Sequence, residues 1–98
     1  MQYFIYSEDR DDGAPIRAEN RTAHIAWLKS ENATVKVLAA GPWMDDEGNM
    51  RGSLLIVEAA DKDTLIAWTQ SDPYAQARLS KAVTIKPFKW VIGAPETA

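Results

Sequence analysis

An α+β fold is predicted by three features of the chain. Short runs rich in β-branched and aromatic residues alternate with stretches of helical period. In chain order these segments read β-α-β-β-α-β, the split βαβ or ferredoxin-like arrangement. The two middle strands are separated by an acidic, glycine-containing loop, which most simply closes an antiparallel hairpin.

Residues 2–7 carry Tyr3, Phe4, Ile5 and Tyr6 and form a strand expected at the centre of the sheet. Residues 8–13 are acidic and turn-forming and read as a solvated loop. Asp9, Asp11, Asp12 and Gly13 lack the spacing of a calcium loop. The first helix is predicted over 15–31, with Ala18, Ile25 and Leu28 on the arc that faces the sheet. Asn32 is expected to take the left-handed position that ends it. Residues 34–40 read as the second strand, halted by Gly41-Pro42, with a loop over 43–51 and the third strand over 53–59.

Asp61 or Asp63 caps the next helix, whose Leu65 and Trp68 share one face. Ser71-Asp72-Pro73 then ends that helix and opens a shorter one. The residue before a proline is pushed out of the α region, Pro73 suits a first helical position, and Asp72 is the N-cap. Residues 83–92 read as the fourth strand, with the apolar phase flipping at Pro87. A proline cannot donate to a ladder, so it marks an edge strand or a bulge. Residues 93–98 form a small-residue tail, leaving a single domain over 1–92.

Of the 98 residues, 46% are hydrophobic and 26% charged, the balance of a globular protein. A net charge of −3 argues against nucleic acid and against an anionic membrane surface. The third strand, Ser53-Leu54-Leu55-Ile56-Val57, lacks the basic and aromatic signature of an RNA-binding sheet. The absence of cysteine excludes disulfides and thiolate metal sites. No basic residue precedes the apolar run at Met1-Gln2-Tyr3-Phe4, so no secretory leader is expected and a cytoplasmic location is the default.

His24 is the only histidine. With Arg17 and Arg21 it lies on or beside the sheet-facing arc of the first helix, a poor place for charge unless a polar pocket lies there. The arginines equally fit the reading of solvated, snorkelling side chains. Asp72 has two readings: an N-cap alone, or a cap through one carboxylate oxygen while the other orients His24. A histidine held by a carboxylate is a tuned general acid/base. No serine sits in a nucleophile elbow, so proton abstraction fits better than acyl transfer. Ser53 and Ser71 are candidate cleft hydroxyls, Trp43 and Tyr74 candidate apolar walls, and Arg17 or Arg21 a candidate clamp for an anionic group.

The motifs Arg21-x-x-His24-Ile25, Ala40-Gly41-Pro42, Gly52-Ser53, Asp72-Pro73-Tyr74 and Lys86-Pro87-Phe88-Lys89, in this order, resemble the YCII-related family over nearly the whole chain. The chain departs from the family pattern where Ile25 follows His24 in place of leucine, and at Asn32-Ala33, where a glycine is common. The resemblance implies a dimeric α+β barrel with a His–Asp pair in a cleft, carried here by His24 and Asp72. It also implies lyase or dehydrohalogenase chemistry on small, often aromatic, molecules.

The expectation is therefore a small enzyme needing no cofactor or metal, acting on a small molecule through His24 and Asp72. The alternative is a non-catalytic small-molecule-binding module; a third reading, by fold analogy alone, is a cofactor-independent oxygenase. A sheet with helices on one face needs its other face covered, and a second copy of the chain is the natural cover. A homodimer with sheets face to face is expected.

Overall fold

The first strand, β1 (Gln2–Asp9), alternates as its sequence requires, with Tyr3 and Ile5 buried between half-buried neighbours. The computed structural model describes residues 1–31 and 34–94. After β1 come α1 (Gly13–Lys29), β2 (Val35–Met44), β3 (Met50–Ala59), α2 (Lys62–Thr69), α3 (Pro73–Gln76) and β4 (Ser80–Phe88). The strands form one antiparallel sheet in the order β2-β3-β1-β4. This is the ferredoxin-like fold of the dimeric α+β barrel class, and β1 is central as its composition predicts.

One face of the sheet carries the core. Tyr3, Ile5, Val35, Leu55, Val57 and Ala59 pack against Leu65 and Trp68 of α2, with Trp27 and Leu28 of α1 against their edge. Asp61 is the cap of α2, accepting from the Thr64 N–H at 2.7 Å. By the alternation, Phe4, Tyr6, Leu54 and Ile56 point to the opposite face, where Tyr6 and Trp43 stack with centroids 5.4 Å apart. None of the helices among the described residues is long and apolar enough to cross a membrane.

Several boundaries differ from the sequence expectation. α1 runs from Gly13 to Lys29 and not over 15–31, and β3 begins at Met50, so the loop expected over 43–51 narrows to 45–49. β2 does not stop at Gly41-Pro42 but runs through them to Met44, with Pro42 opposite Ser53. It can do so because β2 is an edge strand, and the missing proline N–H costs no ladder bond there. β4 begins at Ser80 and ends at Phe88, short of residue 92, because its partner ends: Phe88 already faces Gln2. β1 itself continues past Ser7 to Asp9, which pairs with Ser80 across a register shift. The expectation for Asn32 and most of that for the tail lie outside the described residues.

Candidate functional site

The buried face of α1 is not the predicted apolar arc. Arg17 and His24, seven residues apart, are each 7% exposed, while Ala18 and Ile25 are exposed and Leu28 is half-buried. Polar side chains occupy an inward face only when partners meet them. Both find theirs on other elements.

His24 meets Asp72. The imidazole Nδ1 lies 2.7 Å from Asp72 Oδ1, although the two residues are 48 apart in the chain. The same Oδ1 accepts the Tyr74 N–H at 2.9 Å, capping α3. Capping and imidazole contact thus fall on one oxygen; they are not divided between the two. An ionised carboxylate only accepts, so Nδ1 carries the proton in this contact. In the neutral ring Nε2 is then the free base. Pro73 at the first helical position fixes the backbone on which the carboxylate stands.

Two aromatic rings contact the imidazole. Tyr74 stacks on it with centroids 3.9 Å apart and planes 15° from parallel, and Trp27 tilts against it at 5.9 Å. Trp27 in turn stacks on Trp68 at 4.1 Å and donates from Nε1 to Ser71 Oγ at 2.9 Å. Ser71 also donates to the Trp68 carbonyl, so its hydroxyl braces this column; it is not an unengaged cleft hydroxyl.

Arg17 meets Asp9. Its Nε and Nη2 reach the two Asp9 oxygens at 2.5 and 3.1 Å, and Nη2 also donates to Ser53 Oγ at 2.9 Å. The guanidinium carbon lies 5.2 Å from the Tyr74 ring centroid, on which it makes a cation–π contact. Asp9 was expected in a solvated loop. The signal that places it inward is its parity, since Tyr3, Ile5, Ser7 and Asp9 continue one period-two series. Gly13 makes room for this pair: a Cβ there would come within 2.9 Å of Leu79 Cδ1 and 3.1 Å of Asp9 Cβ.

These residues border two cavities. A cleft of about 610 Å³ lies between α1 and the β2–β3 end of the sheet, with Arg21, Ile25, Leu28 and Pro42 in its wall. A second space of about 260 Å³ lies on the side of Asp72, Trp27 and Arg78. His24, Ser53, Leu55 and Tyr74 border both. Arg17 is bound to Asp9 and Ser53, whereas Arg21 makes no ion pair among the described residues and is exposed on the cleft. Trp43 is not a cleft wall. It sits on the open face of the sheet and donates from Nε1 to the Ser7 carbonyl at 2.8 Å. Gly52 permits that crossing, because a Cβ there would land on Ser7 O and the indole. Among the described residues no three His, Asp or Glu side chains gather as a metal site requires.

Residues 1–89 match the model of the YCII-related domain. The chain belongs to the YCII-related family. It is 34% identical to Protein YciI of Escherichia coli over 97 residues, covering 93% of this chain and 99% of that protein. Among solved structures it is similar to TftG from Burkholderia phenoliruptrix, a 5-chloro-2-hydroxyhydroquinone dehydrochlorinase in complex with 2,5-dihydroxybenzoquinone. That likeness has a TM-score of 0.77 at 31% identity, over 91% of this chain and 94% of TftG. Rv0793 from Mycobacterium tuberculosis shares the fold alone, with a TM-score of 0.54 at 16% identity over 92% of this chain and 96% of that one.

Proposed function

We propose that this YCII-related chain is a small general acid/base enzyme of the lyase or dehydrohalogenase type, acting on a small hydroxylated aromatic molecule. The observation that carries the reading is the 2.7 Å contact of His24 Nδ1 with Asp72, beside a cleft walled by apolar side chains. The carboxylate fixes the tautomer, and Nε2 takes a proton from the substrate as the imidazolium is stabilised by Asp72. The released electron pair moves into the substrate, and the leaving group departs as an anion with its bonding pair. Loss of a proton and a halide is redox-neutral, so no external oxidant enters. The dehydrochlorinase activity of TftG supports this reaction class. Through the open face of its sheet the chain pairs with a second copy, as the apolar Phe4, Leu54 and Ile56 there favour.

The test is chloride release from chlorinated hydroxyhydroquinones, followed with an ion-selective electrode. His24→Ala is expected to lower kcat by roughly 10²–10⁴, the usual worth of a positioned acid/base. Full turnover by that variant would overturn the dyad. A wild-type protein that bound 2,5-dihydroxybenzoquinone yet turned over none of the chlorinated compounds would make the chain a binding module instead.

A further inference from the structure

We propose that the hydrogen bond between Trp27 and Ser71 is a tether that holds His24 against Asp72, which makes Trp27 and Ser71 positioning residues for the dyad. The inference rests on the reading of His24 as the base and goes beyond it, to what keeps the base in place. Trp27 follows His24 by three residues on α1, so both side chains leave the same side of the helix. Ser71 directly precedes Asp72 in the turn between α2 and α3. Two contacts therefore join the same two segments: His24 Nδ1 with Asp72 Oδ1 at 2.7 Å, and Trp27 Nε1 with Ser71 Oγ at 2.9 Å. One contact alone leaves α1 free to pivot about it. A second, offset along the helix, removes that freedom.

The tether is anchored at both ends. The Ser71 hydroxyl accepts from Trp27 and donates to the Trp68 carbonyl at 2.7 Å, so its orientation is set. The backbone N–H groups of Ser71 and Asp72 donate to the Trp68 and Thr69 carbonyls at 3.1 and 3.2 Å, which ties the turn to the end of α2. The Trp27 ring lies against Trp68, with centroids 4.1 Å apart, and Trp68 is itself part of the core. The chain of contacts thus runs from the sheet through Trp68 to Trp27 and Ser71, and ends beside both members of the dyad.

Ser71 borders neither the cleft nor the second space, whereas His24 borders both. It therefore acts on what they hold only through the dyad. The dyad needs this support because Asp72 Oδ1 serves two donors, the imidazole and the Tyr74 N–H. The cap fixes where that oxygen stands, and α1 has to bring the imidazole to it. A misplacement of about 1 Å there is enough to slow a reaction roughly 10²-fold.

The chain has a single histidine, so isotope labelling of histidine nitrogen leaves one imidazole in the NMR spectrum. At a pH where the ring is neutral, wild type is expected to carry the proton on Nδ1, with Nε2 bare and the Nδ1 proton slow to exchange with water. Ser71→Ala removes the acceptor and keeps the stacked indoles. Trp27→Phe removes the donor and keeps a ring against Trp68. Each should speed that exchange about three- to tenfold, the worth of one hydrogen bond, and bring the Nε2-protonated tautomer into the spectrum. Ser71→Thr keeps a hydroxyl and should give the wild-type signals. The backbone amide spectrum checks the fold of each variant, and Trp27→Phe carries the test if Ser71→Ala fails to fold. Folded variants that lose stability in urea but keep the wild-type exchange and tautomer would overturn the proposal, because the column would then be packing alone. An effect of Ser71→Thr as large as that of Ser71→Ala would overturn it too. No substrate enters this readout, so its failure is separate from that of the base, which shows as full turnover in His24→Ala.

Discussion

A carboxylate whose side chain is 4% exposed has to be neutralised where it stands, and Asp9 is met by an equally buried Arg17. The pair also orients Ser53 and contacts the Tyr74 ring, so the ion pair holds two residues that border the cleft. Removing one partner leaves a buried uncompensated charge. Arg17→Met is therefore expected to cost about 3–5 kcal/mol of stability, while Asp9→Leu added to it should recover most of that loss. Urea unfolding of the two variants measures both, and equal stability of Arg17→Met and wild type would contradict the pairing. Arg17 and Asp9 illustrate what residue types leave open. The arginine was visible as a charge beside an apolar arc, but its partner lay in a stretch whose composition reads as solvated.

At the level of elements, the β2–β3 turn is organised by one side chain. Asp45 Oδ1 accepts the N–H groups of Glu47 and Asn49, and Oδ2 accepts Arg51 Nε, with Gly48 taking a φ of +87°. These bonds, the Asn49 N–H foremost, pull the Asp45 pKa down to about 2. A lowered carboxylate pKa means that the stabilisation is fully present above the ordinary value of 3.8 and is lost as pH falls toward 2. Asp45→Asn should flatten that part of the acid limb, read as the change in urea midpoint with pH; a limb identical to that of wild type would refute the role. The hairpin was legible in the sequence, since an acidic glycine-containing loop between two apolar runs has few other solutions. The ends of its strands were not. Whether Gly41-Pro42 stops a strand depends on whether that strand lies at an edge, and edge position is set by all four strands together.

The whole molecule has one covered face and one open face. Leu54 is 43% exposed on the open side, close to Tyr6 and Trp43, and a second copy of the chain is the proposed cover. Light scattering should give a dimer mass at micromolar concentration, and Leu54→Lys should shift the protein toward monomer or unfolded chain. A stable folded wild-type monomer would remove the proposal. Element order, the central first strand, the Asp72 cap and the lone histidine could all be read from the chain, because each follows from local propensity, short-range period or residue count. The contact between His24 and Asp72 could not, nor the seating of Trp43 on the far face, nor the burial of Asp9. Each of these is a meeting between segments far apart in sequence or a choice between faces, and such choices are made by the packing of the sheet and helices as a unit.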